Sequence, residues 1–67
     1  MAKFAYINEK RYEIYEIGGD WVQLTCDGAD VAKLVSFEEA RRYIYHYWVN
    51  LGYEMDYLTE DDFDDVQ

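Results

Sequence analysis

The side chains of this sequence suited to nucleophilic attack or proton transfer are His46, Ser36, Thr25, Thr59 and Cys26. Their spacing assembles no reaction centre. His46 falls on the polar face of a helical stretch, where a single imidazole is ordinarily just solvated. Ser36 and Thr59 sit where helix caps belong, and Thr25 lies inside a strand pattern. A Ser-His-Asp relay therefore has no support in the chain. Cys26 alternates in part with Leu24 and Val22 and reads as a small buried strand residue rather than a nucleophile. The carboxylates of Glu60-Asp61-Asp62 and Asp64-Asp65 offer hard oxygen ligands, but they lack the glycine and closing bidentate Glu of an EF-hand loop. Weak, nonspecific Ca²⁺ or Mg²⁺ binding is the most they predict. Glycine-rich phosphate loops, Cys/His metal sets and nucleotide fingerprints are all missing. The expectation is a chain without catalysis, cofactor or bound metal.

What the residues do carry is a pattern of charge. The 67 residues have a net charge of −9, yet 51% are hydrophobic and 19% aromatic. That is too apolar for a disordered acidic polypeptide, so the charge sits on a folded body. The last basic residue is Arg42. From Tyr43 to Gln67 the chain carries Glu54, Asp56, Glu60, Asp61, Asp62, Asp64 and Asp65 with no Lys or Arg against them. Carboxylates fixed on a small rigid body, interleaved with Tyr53, Tyr57 and Phe63, can occupy the arginine and lysine sites that a protein normally offers to phosphates. The aromatics would add stacking on arginine planes. Glu54, Asp56, Tyr57, Glu60, Asp61, Asp62, Phe63, Asp64 and Asp65 are thus the candidate partner-binding set. Glu13, Glu16, Asp20, Asp27 and Asp30 extend it if the sheet brings them alongside. Such a surface repels nucleic acid and anionic membranes and attracts a basic partner.

The elements that must position these acids are legible in order. Phe4–Ile7 and Arg11–Ile17 are rich in β-branched and aromatic residues, and Asn8-Glu9-Lys10 between them has the length of a hairpin loop. Gly18-Gly19-Asp20 supplies a tight connection to a third strand, Trp21–Cys26. Asp27–Asp30 forms a turn, with Val31–Val35 as a fourth strand. Ser36-Phe37-Glu38-Glu39 has the form of a capping box. The helix it opens, 37–51, places Phe37, Ala40, Ile44, Tyr47, Trp48 and Leu51 on one face and ends at Gly52. Tyr53–Tyr57 alternates apolar and acidic residues, as a half-buried edge strand would. Thr59 caps a last short turn whose first positions hold Glu60, Asp61 and Asp62, with Phe63 and Val66 pointing back to the body. The sum is one domain of α+β class: a small antiparallel sheet, a meander of three to five strands, packed against one long helix and followed by an acidic C-terminal segment.

A chain of this size buries only about 60% of the surface its unfolded form exposes, which disfavours a deep cleft. One cysteine forms no internal disulfide, and Met1-Ala2-Lys3 leads straight into a strand-like stretch without the look of a signal peptide. Both features predict a cytoplasmic setting, and no apolar run approaches the ~20 residues that span a bilayer.

In its size, its acidity, its single helix and the Glu54–Asp65 cluster, the chain resembles the phage-encoded inhibitors that imitate DNA, among them anti-CRISPR proteins, anti-restriction proteins and uracil-DNA glycosylase inhibitors. The resemblance implies a non-enzymatic inhibitor, acting in the host cytoplasm, that binds the basic groove of a nucleic-acid-binding protein such as a CRISPR effector, where DNA or guide RNA would lie. A different class of reading is an interaction module or homodimer that uses Tyr43, Tyr45 and Val49 on the helix flank, with acidity serving only solubility. Monomer and homodimer are both compatible with the sequence.

Overall fold

The computed structural model describes residues 1–67. Four strands follow one another as hairpins: β1 (Ala2–Ile7), β2 (Lys10–Gly18), β3 (Trp21–Cys26) and β4 (Ala29–Leu34). They lead into one helix, α1 (Phe37–Asn50), a 3₁₀ turn over Glu60–Asp62, and a two-residue strand, β5 (Asp64–Asp65). All strand pairs are antiparallel, in the order β4-β3-β2-β1-β5. The expected α+β fold is thus present, with five strands.

Turn chemistry explains the hairpins. Asn8 and Glu9 both adopt positive φ (51° and 68°), as do Asp27 and Gly28 (50° and 87°). Two consecutive positive-φ residues make the primed turn whose twist matches antiparallel strands. The second turn is tied further to β2. The Asp27 carboxylate accepts the Arg11 amide at 2.9 Å, and the Asp27 amide donates to the Arg11 carbonyl at 2.7 Å.

The sheet is covered on one side only. Ala5, Ile7, Tyr12, Ile14, Val22 and Leu24 point toward α1 and bury against Ala40, Ile44 and Trp48, with Leu58 and Phe63 closing the core. On the open face Arg11 stacks over the Phe4 ring at 4.5 Å and reaches Glu13 at 3.5 Å. Gln23 is buried there although nothing covers that face. Its amide lies flat along the strands and donates to the carbonyls of Leu24 and Ala32 at 3.2 and 3.0 Å.

The helix departs from the sequence reading in its rotation. Tyr47 and Leu51, expected inside, are 49% and 58% exposed. A single helix over a narrow sheet buries a narrower arc than the wheel predicts, here Phe37, Ala40, Ile44 and Trp48. Tyr47 hangs past the β4 side of that arc, and Leu51 lies beyond the last turn as its cap. Tyr45 and Val49, expected on the exposed flank with Tyr43, are half-buried, and only Tyr43 is open. At the N-terminus half of the capping box forms. Ser36 Oγ accepts the Glu39 amide at 3.1 Å, but the Glu39 carboxylate turns to Arg42 at 2.8 Å instead of returning to the cap.

One polar contact crosses the core: Trp48 Nε1–H donates to Tyr12 Oη at 3.0 Å. Burial pushes the Tyr12 phenol up to about 12, against the opposing effect of the Trp48 hydrogen bond. Because the neutral phenol is the form the fold favours, its contribution to stability is whole below about pH 10, the ordinary tyrosine value, and disappears as pH rises through about 12. An absorbance titration should show a phenol ionising near 12 that Tyr12→Phe removes. That variant, leaving the indole N–H unpaired, should also lose about 1–3 kcal/mol in urea unfolding. By the same measurement Ile44→Ala should lose about 2–5 kcal/mol, whereas Tyr47→Ala should lose less than about 1 kcal/mol if the helix is rotated as described.

Candidate protein-binding surface

The acidic segment is launched by the end of α1. Leu51 caps the helix and Gly52 takes φ +98°, the left-handed conformation that stops a helix without steric cost. The Gly52 amide donates to the Val49 carbonyl at 3.0 Å and the Tyr53 amide to the Trp48 carbonyl at 3.1 Å. This is a Schellman motif, and it comes with the usual hydrophobic contact, here Tyr53 edge-on to Trp48 at 4.9 Å. The direction in which the chain leaves the helix is therefore fixed by the same residue that anchors the helix to the sheet.

Residues 53–59 form no strand, contrary to the alternation in the sequence. Tyr53 is taken up by the helix terminus and Tyr57 leans on Tyr45 at 5.1 Å, both staying more than 40% exposed (49% and 42%). Only Met55 and Leu58 turn toward the core. The neighbouring Tyr57 hydroxyl, and then the Glu39 carboxylate, hold the Arg42 guanidinium above its ordinary value. The fifth strand forms later, where Lys3 pairs with Asp65 and Phe4 with Asp64. Strand alternation then decides which side chains go in. Phe63 and Asp65 share the α1 side, and Val66, expected to point inward, is 38% exposed.

The predicted contact residues separate into three groups. Glu54, Asp56, Glu60, Asp61 and Asp64 are exposed, and no cation pairs with them. Asp62 and Asp65 are exposed but engaged. The Asp62 carboxylate accepts the Thr59 amide at 2.8 Å and its hydroxyl at 3.4 Å, and Asp65 meets Lys3 Nζ at 3.0 Å. Phe63, 6% exposed, is a correction to the candidate set. Its ring is spent on the core and is not available to a partner, so the aromatic contribution at the surface comes from Tyr53 and Tyr57. With Leu58 it pins the segment on both sides of the 3₁₀ turn.

The sheet-borne acids do not gather at this edge. Asp27 is consumed in its turn, and Asp30 lies on β4, the opposite edge of the sheet from β5. Glu16 and Asp20 sit at the β2–β3 end, and Glu13 is paired with Arg11 on the open face. Elsewhere, His46 is exposed against Tyr45, Ser36 Oγ is committed to its cap, and Cys26 is half-buried opposite Tyr12 rather than fully enclosed. No three His, Cys, Asp or Glu side chains converge to hold a metal ion, and no helix is long and apolar enough to cross a membrane. Comparison with protein-family models, curated proteins and solved structures gives no match.

The anchoring of the acidic segment is open to direct measurement. Phe63→Ala should cost about 3 kcal/mol and expose residues 53–67 to limited proteolysis. Asp61→Asn, at an exposed and unpaired site, should change stability by less than about 0.5 kcal/mol and leave the proteolysis pattern alone.

Proposed function

We propose that this chain is a non-enzymatic acidic inhibitor whose 54–65 edge occupies the basic, nucleic-acid-binding groove of another protein, in the manner of an anti-CRISPR protein that keeps DNA or guide RNA from a CRISPR effector. The observation that carries the reading is the anchoring of the acids. Buried Leu58 and Phe63, the Schellman motif at Gly52 and the pairing of β5 with β1 hold Glu54, Asp56, Glu60, Asp61 and Asp64 on ordered backbone. A carboxylate that serves only solubility has no need of fixed position; a carboxylate that takes the place of a phosphate does. Preorganised charge forms ion pairs without first losing chain entropy, and it displaces the anions already held by the groove. Exposed Tyr53 and Tyr57 beside the acids supply flat surfaces for arginine side chains. Host cytoplasm is the setting in which such a target is met.

Competition binding tests this. A guide-loaded CRISPR effector should bind the chain and its target DNA in mutually exclusive fashion, with affinity falling as salt rises. Reversing Asp61 and Asp64 to Lys should weaken binding at least about tenfold, while reversing Asp20 should change it little. Binding indifferent to Asp61 and Asp64, or simultaneous with DNA, would exclude imitation as the mechanism.

A further inference from the structure

The two edges of the sheet are not alike. One is partly covered by β5, two aspartates long, which pairs with Lys3 and Phe4 of β1 and follows the acidic turn. The other is β4, six residues of strand with no neighbour on its outer side. Between the sheet and α1 on the β4 side runs a largely apolar groove of about 230 Å³, lined by Tyr12, Cys26, Val31, Tyr43, Ile44 and Tyr47, with Lys10 as its one charged wall. Three of the apolar walls are open to solvent: Val31 (39% exposed), Tyr43 (41%) and Tyr47 (49%).

The register of β4 says what fits there. Gln23 pairs with Lys33 and Leu24 with Ala32, but Thr25 pairs with Asp30, so Val31 is the extra residue of a bulge. In an unbroken strand Asp30 and Lys33, three apart, would point to opposite faces. The bulge turns both onto the open face, because Gln23 and Thr25 share that face, and leaves Val31 and Ala32 on the α1 side. Neither charge has an ion-pair partner within the chain.

We propose that β4 pairs antiparallel with β4 of a second copy of this chain, about a two-fold axis passing between Val31 and Ala32. Every residue then meets one that faces the same way. Asp30 stands opposite the second copy's Lys33 and Lys33 opposite its Asp30, on the open face. Val31 meets Ala32 on the helix side, and Ala29 meets Leu34. Self-complementarity of this kind is what an isologous contact requires, and opposite charges directly across strands stabilise the pairing. A bulge and a lysine ordinarily protect an edge from pairing; here the bulge is what brings the two charges into register with their counterparts. The exposed walls Val31, Tyr43 and Tyr47 of the two copies draw together beneath the joined strands. The acidic β5 edges end up at opposite ends of the joined sheet, roughly 40 Å apart at about 4.8 Å per strand, far beyond the screening length at physiological salt. The pairing is independent of what the acidic edge binds.

Sedimentation equilibrium on the full chain and two charge variants decides the matter. The unaltered chain should dimerise reversibly with concentration. Asp30→Lys alone and Lys33→Asp alone should each weaken dimerisation at least about tenfold, since symmetry makes the Asp30–Lys33 contact occur twice in every dimer. An equimolar mixture of the two variants should recover the dimer as a heterodimer, because each then supplies the charge the other lacks. Both residues are exposed, and circular dichroism should show the fold unchanged. A chain that stays monomeric at millimolar concentration, a dimer unmoved by either single variant, or a mixture that fails to recover association would overturn the proposal.

Discussion

The fold hangs on the contact between Trp48 and Tyr12. Tyr12 lies in the second strand at the middle of the sheet, and Trp48 in the last turn of the helix, 36 residues away. Their hydrogen bond joins two polar atoms that burial would otherwise leave unsatisfied, in a core made almost wholly of aliphatic and aromatic surface. An apolar core alone tolerates some sliding of a helix over a sheet; a donor and an acceptor that must meet do not. Trp48 then serves twice more, its carbonyl receiving the Tyr53 amide and its ring meeting the Tyr53 ring. The position of the helix and the path of the acidic segment after it are in this way set by one residue.

Elements with strong local signals were the most legible from the sequence. Asn8-Glu9-Lys10 and Asp27–Asp30 between β-branched runs mark the hairpins, although the turns tighten to two residues and Lys10, Ala29 and Asp30 join the strands; Ser36 marks the start of the helix and Gly52 its end, because each acts through its own backbone and close neighbours. What depended on packing was harder to read. The wheel assigned Tyr47 and Leu51 to the core because it knows periodicity but not the width of the sheet beneath. Tyr53–Tyr57 alternated like a strand, yet an edge must lie within reach for such a pattern to pair. The strand that did form, Asp64–Asp65, has almost the least strand-like composition available; it exists because Phe63 goes into the core and Lys3 awaits Asp65.

At the candidate surface the sequence located the acids but not their division of labour. Nothing in the run from Glu60 to Asp65 distinguishes Asp62, which closes a turn, or Asp65, which meets a lysine 62 residues earlier, from Asp61 or Asp64, which face water unpaired. The Phe63 ring suits an anchor and a contact equally by its position among the acids, and burial decides for the anchor. The bulge at Val31 left no trace in the sequence at all, since a single extra residue in a short strand changes no residue type.

The pairing of β5 with β1 differs from the other three strand pairings in one respect. Those three are hairpins closed by short turns, whereas β5 reaches β1 only after the whole chain between them has been laid down. Loop-closure entropy makes such a contact the slowest to gain and, being two residues long, among the cheapest to lose. The β5 ladder is thus the last pairing of the sheet to close and the first to fray, while buried Leu58 and Phe63 keep the acidic turn on the body. A fluctuation that parts Asp64 and Asp65 from β1 leaves the four-stranded meander and its core standing, so fraying of this ladder runs on a faster clock than global unfolding.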